Sequence, residues 1–215
     1  MPNEIYPNIT TTASVPNDVA ILAPLNTTVD ILNNKIIDLL PGTAISYISV
    51  DTPLDETDLT KFPTEFLNKQ ESGSLPPHHL RLKIGCPVVV IRNIMPPHLL
   101  NGTRGIVIQL YPNVIEIEKS DGACMFIPRI TIVPSDNSRN FVFKRRQFPI
   151  KLALAMTINR AEGQTLRKTG LDLTKPCFSH GQLYVGLSRT SSPEDIHVLI
   201  PNGEITPNPV YQETF

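Results

Sequence analysis

Between residues 88 and 133 five short apolar runs follow one another, at 88–91, 105–110, 114–118, 124–127 and 129–133, with turn signals between them. Runs this short and this β-branched have strand length rather than helix length. Asp121-Gly122, set between two of them, is the strongest hairpin cue in the chain. Short strands spaced so closely bury a common face by curling into a small barrel.

The flanks of this stretch have a different texture. Val19-Ala20-Ile21-Leu22-Ala23 is a buried-strand run, and Asn26 is an N-cap residue ahead of Val29, Leu32, Ile36 and Leu39 at helical spacing. Pro41-Gly42 stops that helix, and 43–50 is β-branched enough for a second strand. The opening therefore reads as strand, helix, strand, the unit of a parallel sheet. Residues 51–79 are polar and carry Pro53, Pro63, Pro76 and Pro77, as a long connection would, with one short helix near 64–68. After Phe148-Pro149 the α/β texture returns: strand 152–157, helix 159–162, strand 169–173, helix 178–187 and strand 195–200. The expected division is a loose leader over 1–16, one α/β domain assembled from 17–79 and 146–215, and a β insertion over 80–145.

Bulk properties narrow the function classes. A net charge of −1 exerts no global pull on nucleic acid or anionic membrane, so polyanion contacts must come from local Lys and Arg. Cys86, Cys124 and Cys177 form no C-x-x-C pair and read as reduced thiols. No signal-like leader and no apolar run of spanning length is present, so a soluble protein with no membrane partner is expected. The 21 prolines against 11 glycines imply few, interrupted helices.

Three segments carry chemistry. In 155–165 (AMTINRAEGQT), a buried strand delivers Thr157 and the turn Gly163-Gln164-Thr165 to one sheet edge, where amides and hydroxyls can hold phosphate oxygens. A plain strand-to-helix turn capped by Gly163 also fits, and spacing alone favours it. In 180–189 (HGQLYVGLSR), Arg189 ends the element and could reach across a cleft to a γ-phosphate, or sit solvated at a helix C-terminus. Segments 82–93 and 100–107 place Arg92 and Arg104 on strands, where they could touch a nucleic-acid backbone or merely face water. Lys144-Arg145-Arg146 is a further basic run with the same two readings.

Taken in order, LNGTRG at 100–105, IPRI at 127–130, KRRQFPI at 144–150, TINRAEGQT at 157–165 and FSHGQLYVGLSR at 178–189 resemble petite-integration-frequency helicases, the Helitron transposon branch above all. The resemblance implies the second RecA-like domain of a superfamily-one, five-prime to three-prime ATP-dependent DNA helicase, its parallel sheet interrupted by a small SH3-like β-barrel. Arg189 then corresponds to the γ-phosphate-sensing arginine. Thr157, Gly163, Gln164, Thr165 and Tyr184 fall in the motifs lining the nucleotide cleft and coupling it to DNA. Asn159, Arg160, Arg92, Arg104, Lys144, Arg145 and Arg146 are the implied contacts to single-stranded DNA. The sequence departs from the pattern at Asn159-Arg160, where His-Lys is common, at Glu162, where Gln is usual, and at Gly186, where Ala is usual.

None of the 11 glycines precedes a lysine, so the phosphate loop of such helicases is absent from these 215 residues. Asp55-Glu56 follows Pro53 in a polar connection and does not close an apolar strand, which excludes it as a magnesium-binding acidic pair. ATP and Mg²⁺ are thus expected only in a full-length helicase, with the N-terminal RecA-like half as partner, no metal site in this chain, and no turnover by the chain alone. The alternative is a stand-alone, non-catalytic single-stranded DNA-binding protein or transposon remnant. The implied substrate places either in the nucleus or the mitochondrion.

Overall fold

The computed structural model describes residues 1–54, 61–134, 141–201 and 205–211. Its first elements are α1 (Pro2–Ile5), β1 (Val19–Ala23), α2 (Asn26–Leu39), β2 (Ile45–Ile48), β3 (Val50–Pro53), α3 (Thr64–Asn68) and β4 (His79–Leu82). Next come β5 (Pro87–Val90), β6 (Arg104–Leu110), β7 (Val114–Lys119), β8 (Cys124–Pro128), β9 (Ile130–Ile132), β10 (Phe143–Gln147) and β11 (Ile150–Leu152). The last are β12 (Ala155–Thr157), a 3₁₀ turn (Ile158–Ala161), β13 (Lys168–Asp172), α4 (Gln182–Leu187) and β14 (Ile196–Leu199). The chain divides into two compact units, 1–41 with 152–215, and 42–151.

The first unit is built on a parallel sheet in the order β12-β1-β13-β14. β1 is buried at every position, as an interior strand covered on both faces must be. α2 packs Val29, Leu32, Ile36 and Ile37 inward. It also buries Asn33, whose Nδ2 donates to the Ala155 carbonyl at 2.9 Å while its Oδ1 accepts the Ala155 N–H at 2.7 Å. Asn26 is the first helical residue and not the cap expected of it: Leu25 holds the N-cap position and makes no side-chain cap. The stretch expected to be a loose leader is anchored: Ile5, Tyr6, Ile9 and Val15 are buried. Tyr6 donates its hydroxyl to the Leu154 carbonyl at 2.6 Å. Gly170 admits the leader, since a Cβ there would lie 2.8 Å from Ile5 Cγ1. Four apolar residues scattered without period leave no pattern to read, which is why no element is legible there in the sequence.

The second unit contains three sheets: β2-β4, β3-β10-β9 and β11-β5-β6-β7-β8. β6, β7 and β8 are consecutive antiparallel partners, and the hairpin at Asp121-Gly122 is where its chemistry placed it, with Gly122 at φ 79°. The strand expected over 43–50 does form as β2, but it pairs antiparallel with β4 instead of joining the parallel sheet of β1. Similarly β3 pairs with β10. Residues expected to form a connection of the α/β domain thus belong to the β-rich unit, whose limits are 42 and 151 where 80 and 145 were expected. Asp55-Glu56 lies outside the described residues. Leu67, Leu75, Ile132 and Phe143 form a core here, with Phe62 and Phe141 stacked at 4.6 Å between centroids.

Candidate functional site

In the first unit, β12 ends on buried Thr157 and the 3₁₀ turn leads to Gly163 at φ 75°, a conformation open to glycine and costly for side chains. Gln164 sends its N–H to the Ala161 carbonyl at 3.0 Å and its Nε2 to the Arg160 carbonyl at 2.9 Å. Its Oε1 is buried with no partner among the described residues. Thr165 is exposed. Burial lowers the pKa of the Arg160 guanidinium and Asp30 opposes that shift, and the side chain stays charged.

Arg189 joins this turn to the helix that precedes it. Its Nε donates to the Val185 carbonyl at 2.7 Å, and its Nη1 donates to the Ala161 and Gln164 carbonyls, each at 3.2 Å. Nη2 meets the exposed Ser188 hydroxyl at 2.8 Å. The planar fork suits this stitching, because a single ammonium could not reach three carbonyls in one plane. Tyr184, on the same helix, is 73% exposed. Gln182, which lies within the segment 178–189 but has no role implied there, is buried; its Oε1 accepts the Phe178 N–H at 3.0 Å and its Nε2 donates to Asn159 Oδ1 at 3.0 Å. Its place in that segment, as a glutamine ahead of apolar helix positions, is the signal the sequence offers for it. Gly186 lies against the sheet: a Cβ there would come within 2.9 Å of Leu171 Cδ1.

In the second unit, β10 alternates strictly, with Phe143, Arg145 and Gln147 buried and Lys144 and Arg146 exposed. Arg145 is therefore not the DNA contact expected of it. Its Nε donates to Asp51 Oδ1 at 2.9 Å, its Nη2 to Asp51 Oδ2 at 2.7 Å, and its Nη1 to the Pro76 carbonyl at 3.0 Å. Period two assigns the middle of three basic residues to the inner face, and a buried cation must be paired. Arg92 and Arg104 are half-buried. Arg129, part of the IPRI segment but with no role implied by the resemblance, lies 4.7 Å from the Phe148 ring centroid and donates to the Ile48 carbonyl at 2.9 Å. Among the described residues no group of three or more His, Cys, Asp or Glu could hold a metal ion, and no helix is long and apolar enough to cross a membrane.

Residues 65–110 match the family model described as DNA helicase Pif1, 2B domain. Over 120 residues the chain is 34% identical to the ATP-dependent DNA helicase Pif1 of Bdellovibrio bacteriovorus, covering 56% of this chain and 27% of that protein. The chain is a homologue of Pif1-type DNA helicases. The crystal structure of the Pif1 helicase from Candida albicans superposes with a TM-score of 0.66 and 26% identity, covering 94% of this chain and 49% of that one. The crystal structure of Bacteroides Pif1 bound to single-stranded DNA superposes with a TM-score of 0.65 and 24% identity over 92% of this chain and 44% of that one. These neighbours give the chain a RecA-like α/β fold and are consistent with the C-terminal part of a Pif1-type helicase. The chain spans 27% of the length of the Bdellovibrio protein, 16% of the ATP-dependent DNA helicase PIF6 of Trypanosoma brucei brucei and 26% of the PIF1 of Danio rerio.

Proposed function

We propose that this chain is the C-terminal motor segment of a superfamily-one, five-prime to three-prime ATP-dependent DNA helicase. In this reading 42–151 holds the SH3-like barrel insertion, with β5 to β8 as its main strands. The observation that carries the proposal is the Arg189 guanidinium, tied through Nε and Nη1 to the turn at 161–164 and presenting Nη2 at an exposed position. A cation held that rigidly stabilises charge that builds on a γ-phosphate during transfer, and its fork needs no reorganisation to do so. When bound, ATP with Mg²⁺ supplies the phosphoryl group and its counter-charge. This chain contributes Arg189, and the Gly-Lys phosphate loop that it does not contain would come from an N-terminal RecA-like segment. Asn159 and Arg160 beside the turn, and Lys144, Arg146, Arg92 and Arg104 in the other unit, are the proposed contacts to single-stranded DNA. Such a substrate places the protein in the nucleus or mitochondrion.

The test joins this chain to an N-terminal Pif1 ATP-binding segment and measures ATP turnover with and without single-stranded DNA. DNA-stimulated turnover in the joined protein, absent from the chain alone, is expected. Turnover by the chain alone, or none after joining, overturns the reading. A chain that binds single strands with salt-sensitive affinity yet never supports turnover would be a stand-alone DNA-binding protein.

A further inference from the structure

Asn159 is exposed and stands at the mouth of the turn that Arg189 grips. A primary amide has a donor end and an acceptor end of nearly the same shape, so a free Asn at this place would offer either one to a ligand. Gln182 removes that freedom. The Phe178 backbone N–H can only donate, so Gln182 must turn Oε1 toward it, at 3.0 Å. Its Nε2 is then fixed toward Asn159, whose Oδ1 accepts at 3.0 Å. Asn159 is left with its Nδ2 hydrogens pointing away from Gln182.

We infer that Gln182 is a positioning residue that polarises Asn159, so that position 159 presents a donor-only group to a phosphate or sugar oxygen of single-stranded DNA. The inference rests on the proposed DNA-binding reading and adds the group that sets the polarity of one contact. The chain of bonds starts at a backbone N–H, runs through a side chain that is 3% exposed, and ends at an exposed amide. Burial is what gives the relay its grip: turning the Gln182 amide over would set its NH₂ against the Phe178 N–H and leave donors unpaired in a dry site. Asn159 is neutral, so its contact releases no counterion. Removing it therefore weakens binding equally at every salt concentration, whereas removing an Arg or Lys that neutralises a phosphate flattens the salt dependence.

Gln182→Glu tests the relay with the number of hydrogen bonds unchanged. A carboxylate accepts from Phe178 N–H and also from Asn159 Nδ2, which turns Asn159 Oδ1 outward, against phosphate. Anisotropy titrations of a labelled oligothymidylate into the full chain should show Gln182→Glu and Asn159→Ala each weakened about 5- to 10-fold, the scale of one hydrogen bond. For Asn159→Ala and for Gln182→Met, which releases Asn159 without adding charge, the slope of log affinity against log salt should stay at the parent value. The double variant Asn159→Ala/Gln182→Met should bind as Asn159→Ala does. If Gln182→Met binds like the parent, or weakens Asn159→Ala further, the relay is overturned while the DNA-binding reading stands. If the parent chain binds no oligothymidylate at low salt, the reading itself fails and takes the relay with it.

Discussion

Arg145 and Asp51 form an ion pair in which neither side chain reaches solvent, with Nη2 and Oδ2 at 2.7 Å. The pair ties β10 to β3, and Arg145 adds the Pro76 and Leu67 carbonyls, so that one guanidinium holds strand, helix end and connection together. Arg145→Ala leaves the Asp51 carboxylate buried without its partner. A loss of about 3–5 kcal/mol is expected, read as a lower denaturant midpoint. A midpoint within error of the parent would show that the pair does not hold this unit.

The two neighbours of Arg145 make the opposite prediction. Lys144 and Arg146 point outward from the same strand. Lys144→Ala and Arg146→Ala should leave the denaturant midpoint nearly unchanged and weaken binding to single-stranded DNA. The salt slope should shrink by about 0.7 for each phosphate that is no longer neutralised. An unchanged slope in both variants would place DNA elsewhere.

For Arg189 the expected effect is kinetic. In the protein joined to an ATP-binding segment, Arg189→Ala should lower DNA-stimulated ATP turnover by about 10³- to 10⁵-fold. Arg189→Lys should recover little of it, because an ammonium cannot keep the Val185, Ala161 and Gln164 carbonyls while facing a phosphate. Turnover that survives Arg189→Ala would remove the arginine from the chemistry.

Gly186 predicts a steric cost for any side chain at its position. Gly186→Ala places a methyl 2.9 Å from Leu171 Cδ1 in the sheet, which should destabilise the first unit by about 1–3 kcal/mol. Leu171→Val in the same chain should recover part of the loss, and purely additive effects in a thermal melt would show that the two side chains do not compete.

His78 makes stability depend on pH. Its Nδ1 lies 2.7 Å from Ser49 Oγ, and burial pushes its pKa below the ordinary 6.5. Asp51 pulls the other way, while Arg145 and His79 add to the lowering. A folded pKa below the unfolded one means that the unfolded chain binds the proton first as pH falls. The contribution is fully present above pH 6.5 and is lost as pH drops through the folded value. Denaturant midpoints measured from neutral to mildly acid pH should fall more steeply in the parent than in His78→Gln; parallel curves would clear His78.

Periodicity makes much of this molecule legible. The buried run Val19–Ala23, most of the apolar face of α2 and the Asp121-Gly122 hairpin follow from short-range pattern and appear where the sequence puts them, although at the end of α2 it is Ile37 that is buried while Leu39 is exposed. What does not show is pairing. β2 has strand composition, yet nothing in Ile45–Ile48 says whether its partner is parallel β1 or antiparallel β4, because register is a property of two segments. Arg145 escapes a sequence reading for a related reason: three adjacent basic residues look alike until strand alternation turns one inward. Gln182 and Asn159 are 23 residues apart, and only the fold brings a helix and a turn into hydrogen-bond reach.

Asn33 gives the parallel sheet a direction. Just before β12 the Leu154 carbonyl accepts from the Ile21 N–H, so that side of the chain belongs to β1, and the outward N–H and C=O of Ala155 are both taken by the Asn33 amide. A helix side chain thus does for that border what another strand would do, and it adds no length. Among the described residues β12 and β14 are the two borders of this sheet, and Asn33→Leu is the change that would strip the Ala155 pair of its partner and turn that stretch of backbone into a template for another strand.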